Sequence, residues 1–117
     1  SPGSFGGSEP ETQAIITLVK QLKPKLIVSM HGFLACIDDP DQTPVAQDIA
    51  SRTQMDLVPD VGYDTPGSFG SWCKEQNIPI ITYELPSLDI VMMKKIHLPI
   101  LQDLITGHYD PAVKTFT

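Results

Sequence analysis

Residues 25–31 read KLIVSMH, a short run rich in apolar and β-branched residues that ends at Gly32. Its apolar side chains point to both faces, which is typical of a parallel strand buried between layers of helices. A second run of this kind is IPIITYEL at residues 78–85, and its second-to-last residue is the carboxylate Glu84. These two runs predict the buried centre of a β-sheet.

Helical patterns alternate with the two predicted strands. The first helix should begin near Ser8, because Pro10 suits a first turn and Glu11 completes a capping box. It should end before Pro24. Apolar residues at helical spacing predict its buried stripe: Ala14, Ile15, Leu18, Val19 and Leu22.

Three further segments complete the pattern. A helix is predicted from Thr43-Pro44 to about Thr53, and one or two helical turns at residues 68–76. A longer helix runs from Leu88 to Thr106, with Pro99 bending or dividing it. Alternation of this kind predicts an α/β fold with a mixed, mostly parallel sheet flanked by helices.

Length and charge exclude several classes of function. The chain has 117 residues, a net charge of −6 and a single arginine, Arg52. One domain with its own core is expected, and partners such as nucleic acid or an anionic membrane surface are not. No apolar run reaches the roughly 18 residues that span a bilayer. The N-terminal SPGSFGGS shows no signal peptide, and a cytoplasmic location is expected; the alternative is that this stretch is a cut end and that a localisation signal lies upstream of it.

The two cysteines have no spacing that suggests a metal site. Cys36 and Cys73 are expected to be buried free thiols in a reducing compartment, and a single disulfide is the alternative.

Two polar residues end the predicted strands. In open α/β sheets, ligands bind beyond the carboxyl ends of strands, where His31 and Glu84 lie. A histidine in this position suits a metal ligand, and a carboxylate beside it suits a general base. Each also has a structural alternative: His31 as a hydrogen-bonded surface residue and Glu84 as the cap of a turn. The sequence alone leaves both alternatives open.

Other polar residues give weaker signals. The segment IDDPDQ, residues 37–42, reads as a turn. Its three aspartates are expected to be solvated, because the further ligands of a calcium loop are absent. His97 lies in the last predicted helix and faces either solvent or the sheet.

Taken together, the motifs resemble the C-terminal half of the M14 family of zinc carboxypeptidases. In order, they are SEPET opening a helix, a strand ending in SMH, Tyr63 nine residues before Trp72, and a strand ending in ITYEL. The segments ACIDDP and GYDTPGSFGSWC are most similar to those of murein peptide amidases, which cut the γ-D-glutamyl to diaminopimelate bond of peptidoglycan peptides. The resemblance extends from Ser8 to about Leu104.

The resemblance implies roles for matched residues. His31 corresponds to the family's third zinc ligand, Glu84 to its catalytic carboxylate and Tyr63 to the mobile tyrosine that closes over substrate. Gly70 corresponds to a position that shapes the side-chain pocket, where a glycine leaves room for a long or polar side chain.

By the same resemblance, the loop around Gly67 and Ser68 is expected to contribute to substrate binding together with Tyr63 and Gly70. Its glycine and proline content would let it move and admit a small peptide substrate.

The chain departs from the family in two respects. The other two zinc ligands come from an upstream H-x-x-E motif, and none of the three histidines here begins such a motif. The family's substrate-binding arginines also lie upstream, and Arg52 does not match them. Residues 1–117 are therefore expected to form the C-terminal part of one catalytic domain, incomplete at its N-terminus.

This incompleteness has consequences for the isolated chain. One histidine cannot hold a catalytic zinc, which needs about three protein ligands, so the chain alone is expected to be inactive. An exposed sheet edge would favour self-association. The alternatives are an M14 carboxypeptidase of another specificity and a metal-free module that binds peptides without cutting them.

Overall fold

The computed structural model describes residues 4–5, 7–60 and 68–117. The chain divides into two compact units, one from the described parts of residues 1–27 and 62–80, the other from those of 28–61 and 81–117. The helices and a single π-helical turn are α1 (Pro10–Leu22), α2 (Pro44–Thr53), α3 (Phe69–Glu75), α4 (Ile90–Met92), the π turn (Met93–His97) and α5 (Leu98–Thr106). The strands are β1 (Ile27–Gly32), β2 (Cys36–Asp38), β3 (Asp56–Val58), β4 (Ile80–Leu85), β5 (Tyr109–Asp110) and β6 (Thr115–Phe116).

A four-stranded sheet in the order β1-β4-β2-β3 forms the framework. Strand β2 runs parallel to β3 and antiparallel to β4. Strands β1 and β4 begin side by side, because the Ile27 N–H donates to the carbonyl of Pro79, directly before β4. These two neighbours therefore run in the same direction. The result is the α/β architecture with a mixed, mostly parallel sheet that the sequence predicts.

Strand β2 was not expected from the sequence, which reads residues 37–42 as a turn. Three residues are too few to show a periodic pattern, and the strand exists because it pairs with β3 on one side and β4 on the other. The turn begins only at Asp39. Its buried carboxylate accepts hydrogen bonds from the Thr43 N–H at 2.8 Å, the Thr43 hydroxyl at 2.6 Å and the Asp41 N–H at 2.9 Å.

Helix α2 covers one face of the sheet and starts where the sequence predicts. The Thr43 side chain accepts a hydrogen bond from the Ala46 N–H, and Pro44 occupies the first turn. Ile49 of this helix is 1% exposed, as is Ile81 of β4, and Ile37 of β2 is fully buried. These apolar side chains hold the helix to the sheet by burying area that water would otherwise contact.

The C-terminal helical region is divided, as Pro99 predicts. A π-helical turn separates α4 from α5, and Pro99 lies in the first turn of α5, directly after the π-helical turn. Gly107 ends the helix by donating from its N–H to the Asp103 carbonyl at 2.8 Å. A Cβ at Gly107 would lie 2.6 Å from that carbonyl oxygen, so the close approach requires glycine.

The first unit packs α1 against α3. Its core contains Ile16, Val19, Trp72, Cys73 and Ile80. This differs in part from the stripe that helical spacing predicts, because Val19 is buried while the other large members of that stripe are exposed. Those exposed residues are Ile15, Leu18 and Leu22.

The start of α1 also differs from the expected capping box. The N-cap is Glu9 rather than Ser8, and no side chain caps the helix. The Ser8 hydroxyl is buried and has no hydrogen-bond partner among the described residues. The capping pattern in the sequence predicted the helix correctly but placed its N-cap one residue too early. Errors of one or two residues are common at helix ends.

Candidate active site

Glu84 is the penultimate residue of β4, which has neighbours on both sides in the sheet. Glu84 is only 5% exposed. Its Oε2 atom is buried and has no hydrogen-bond partner among the described residues. Buried carboxylate oxygens are normally paired, because removing them from water is costly. The unpaired oxygen of Glu84 therefore sets it apart from a carboxylate that only caps a turn.

His31 is the penultimate residue of β1, the strand beside β4. Because β1 and β4 start together and run in the same direction, His31 and Glu84 lie towards the same end of the sheet. His31 is exposed, and its Nε2 atom is 3.1 Å from the Ser29 hydroxyl oxygen. An accessible imidazole is a group that can bind zinc.

The described residues do not form a complete metal site. Across the described ranges, no group of three or more histidine, cysteine, aspartate or glutamate side chains is placed to hold a metal ion. A catalytic zinc normally has about three protein ligands. His31 and Glu84 supply one imidazole and one carboxylate, which is fewer than that number.

The pairing of β2 with its neighbours decides which side chains share a face with Glu84. Cys36 is directly opposite Glu84 on β4 and opposite Asp56 on β3. Two residues along β2, Asp38 is opposite Thr82 on β4, and successive side chains of a strand alternate between faces. We call this surface, formed by Cys36, Asp38, Asp56, Thr82 and Glu84, the acidic face.

The electrostatics of Cys36 reflect this arrangement. The pKa of its thiol is raised, first by burial and then by the negative charges of Glu84, Asp38 and Asp56. Because thiolate is the reactive form of cysteine, the neutral Cys36 is a packing residue rather than a nucleophile. Both Cys36 and Cys73 are free and buried, as expected, and no disulfide joins them.

The opposite face of β4 holds a second polar pair. The hydroxyl of Tyr83 is 2.5 Å from Nδ1 of His97, and the two residues are 0% and 3% exposed. Of the two positions that the sequence left open for His97, the structure shows the one facing the sheet. Since Tyr83 and Glu84 are consecutive in β4, this pair lies behind the sheet and not on the acidic face.

The glycine-rich loop is only partly described. Tyr63 and Gly67, which the resemblance assigns to substrate binding, lie outside the described residues. Ser68 is the N-cap of α3, and its hydroxyl accepts a hydrogen bond from the Ser71 N–H at 3.1 Å. Among the described residues, a Cβ at Gly70 would meet only the Ser68 hydroxyl, at 3.9 Å, which is an ordinary van der Waals contact.

Two members of the acidic face, Cys36 and Asp38, were not predicted as site residues. The signal was present in the sequence CID, which follows the strand containing His31 after a short connection. Read as a strand, CID places Cys36 and Asp38 on one face. Read as a turn, it gives no reason to connect them with Glu84.

Comparison with known proteins identifies relatives of the chain. Murein peptide amidase A of Escherichia coli K12 is 39% identical over 112 residues, which are 96% of this chain and 46% of that protein. Murein peptide amidase A of Vibrio campbellii is 40% identical over 103 residues, 88% of this chain and 41% of that protein. This chain is similar in sequence to murein peptide amidase A over most of its length. The resemblance drawn from its motifs is therefore confirmed.

A solved structure supports the same relationship. The crystal structure of murein-tripeptide amidase MpaA from E. coli O157 matches 92% of this chain with a TM-score of 0.80 and 40% sequence identity. The match covers 46% of the MpaA chain, so this chain spans about half the length of the relatives it matches. No protein-family model matches the sequence. In the part of the chain that the structure describes, no helix is long and apolar enough to cross a membrane.

Proposed function

We propose that this chain forms the C-terminal part of a zinc-dependent amidase that hydrolyses the γ-D-glutamyl-diaminopimelate bond of murein peptides. The identity of about 40% to two murein peptide amidases, over most of the chain, supports the reaction class. The assignment of Glu84 as a catalytic residue depends on its Oε2 atom, which is buried and has no hydrogen-bond partner among the described residues.

In this proposal, Glu84 is the general base. It accepts a proton from the attacking water and then passes that proton to the nitrogen of the leaving amine. Zinc, when bound, supplies Lewis-acid activation and lowers the pKa of a water molecule towards about 7. His31 is one of its ligands, and the other two belong to an H-x-x-E motif outside this sequence.

The proposal gives β4 and the glycine-rich loop separate tasks. Strand β4 is buried on both faces and fixes the position of Glu84, which a general base needs because proton transfer requires hydrogen-bond reach. The loop that contains Tyr63, Gly67, Ser68 and Gly70 would bind the substrate, with Tyr63 closing over it.

A comparison of two proteins tests this proposal. One is the 117-residue chain alone, and the other, the completed protein, joins it to the part of the E. coli K12 relative that it does not cover. We expect neither stoichiometric zinc nor cleavage of L-alanyl-γ-D-glutamyl-diaminopimelate from the chain alone, and both from the completed protein. In the completed protein, His31→Ala should reduce zinc content, measured by atomic absorption.

Two results would contradict the proposal. Tight zinc binding and peptide cleavage by the chain alone would show that its metal site is not incomplete. A completed protein that binds zinc and the peptide but cuts nothing would support a metal-dependent binding module instead of an amidase.

A further inference from the structure

The residue directly across the strand pair from the proposed base is a cysteine. Cys36 of β2 is the cross-strand partner of Glu84 in the antiparallel pair of β2 and β4. Residues in that relationship point to the same face of the pair, and their Cβ atoms are typically about 4.5–5.5 Å apart. The two residues are only 8% and 5% exposed. The thiol and the carboxylate are therefore close neighbours that are both largely removed from solvent.

Cys36 is an uncharged and weakly polar neighbour. Burial raises the pKa of its thiol first, and the negative charge of Glu84 raises it further. The thiol is therefore protonated at neutral pH and adds no second charge beside the carboxylate. It is also free rather than part of a disulfide. A protonated thiol is a weak hydrogen-bond donor and packs much like a small apolar side chain.

The carboxylate of Glu84 is in the state that such a neighbour allows. Its Oε2 atom is buried and has no hydrogen-bond partner among the described residues, although Cys36 is the residue opposite. A hydroxyl or an amide in place of the thiol would be a stronger donor, and its hydrogen bond would stabilise the charged form of the carboxylate. A general base loses that stabilisation when it accepts a proton. The sulfur side chain fills the position without imposing this cost.

We propose that Cys36 is a positioning residue for the general base, because its side chain occupies the buried position opposite Glu84 and leaves Oε2 without a competing hydrogen bond. This inference rests on the proposed function, in which Glu84 accepts a proton from the attacking water. Cys36 does not touch the substrate and exchanges no proton during the reaction. What matters is that the atom beside the carboxylate is a sulfur rather than an oxygen or a nitrogen.

Other ionisable groups on the neighbouring strands also contribute to the electrostatics around Glu84. They are His31 on β1, Asp38 on β2 and Asp56, which is opposite Cys36 on β3. All of them are unchanged in variants that replace only Cys36. A change in the pH dependence of such a variant therefore reports on the pair formed by Cys36 and Glu84.

The first test uses the 117-residue chain and asks whether the two side chains interact. Carbon-13-labelled cysteine lets NMR follow the ionisation of each thiol. Glu84→Gln removes a negative charge that raises the pKa of Cys36, so that pKa should fall. The pKa of Cys73, which burial alone raises to about 11, should stay the same. If the pKa of Cys36 is also unchanged, the two side chains do not interact and the inference fails, whatever the activity of the completed protein.

The second test measures kcat, KM and their pH dependence for the completed protein on L-alanyl-γ-D-glutamyl-diaminopimelate. Cys36→Ser replaces the sulfur with oxygen and adds a strong donor opposite Glu84. We expect kcat to fall by about 10- to 100-fold, the effect of one hydrogen bond to a charged group, and KM to stay the same. The acid limb of the kcat profile should move to lower pH, because the carboxylate becomes a weaker base. Cys36→Ala adds no donor, so its acid limb should not move.

Cys73→Ser is the matched control, because it makes the same exchange at the other buried, free cysteine. It should change neither kcat nor the acid limb, although a buried hydroxyl should lower the melting temperature. If Cys36→Ser lowers the melting temperature but behaves like Cys73→Ser in the kinetics, Cys36 is only a packing residue and only this inference fails. If Glu84→Gln cleaves the peptide at the normal rate, the proposed function fails and this inference fails with it.

Discussion

The packing behind the sheet depends on the buried contact between Tyr83 and His97. Tyr83→Phe removes a hydroxyl that lies 2.5 Å from Nδ1 of His97, in a place where the two residues are 0% and 3% exposed. The ring nitrogen then has no partner and no access to water, which costs about 1–3 kcal/mol. We expect the free energy of unfolding, measured by urea titration of the chain at pH 7, to fall by that amount.

The same contact has a second signature at alkaline pH. Burial raises the pKa of Tyr83 to about 12, with Arg52 acting weakly in the opposite direction. Since the folded pKa is above the ordinary value of 10, the stabilisation is complete below pH 10 and is lost as the pH rises through 12. The difference corresponds to roughly 3 kcal/mol. The phenylalanine variant should not show this part of the alkaline loss.

Tyr109→Phe is the matched control, because Tyr109 is a half-buried tyrosine whose ring packs against Phe116 in the β5-β6 pair. That variant should change the free energy of unfolding by less than about 0.5 kcal/mol. If Tyr83→Phe cost no more than Tyr109→Phe, the contact between Tyr83 and His97 would not contribute to stability, and the reasoning from burial would be wrong.

Three further outcomes follow from buried polar groups. Asp39→Asn places a donor where the carboxylate accepts from the N–H and hydroxyl of Thr43, and should cost about 1–3 kcal/mol in urea unfolding. Burial lowers the pKa of His97 below 6.5, so stability should be complete above pH 6.5 and should fall as the pH is lowered from there, in urea titrations between pH 5 and 7. Because burial raises the pKa of both Cys36 and Cys73, iodoacetamide at pH 8 should label neither thiol until urea unfolds the chain, as mass spectrometry would show.

The sequence predicted the parts of the fold whose signals are local. The run KLIVSMH became β1 and IPIITYEL became β4, because long apolar runs have few other stable arrangements. The helix start at Thr43-Pro44 was also correct, since a side-chain cap and an N-terminal proline act within one turn.

The parts that the sequence could not predict depend on contacts between distant residues. Strand β2 has three residues and exists through its pairing with β3 and β4, so IDDPDQ was read as a turn from its first residue. In α1, the face that contacts Trp72 includes Ile16, whereas Leu18 and Leu22 are exposed. Helical spacing defines an apolar stripe but not the neighbour that covers it.

The same distinction applies to the candidate site. Glu84 at the end of an apolar strand was visible in the sequence, and so was His31. The relation of Asp38 to Glu84 was not, because it requires the register of an antiparallel pair between residues more than 40 positions apart. The contact of Tyr83 with His97 was equally hidden, since a histidine in a helix can face either side.

The account depends most directly on Glu84 as the general base. The decisive measurement is turnover of the diaminopimelate tripeptide by the completed protein and its Glu84→Gln variant, with zinc content determined for both. Glutamine keeps the size of the side chain but cannot accept the proton, so we expect zinc content to be unchanged and kcat to fall by about 10²- to 10⁴-fold. Near-normal turnover by a zinc-loaded Glu84→Gln variant would contradict the account.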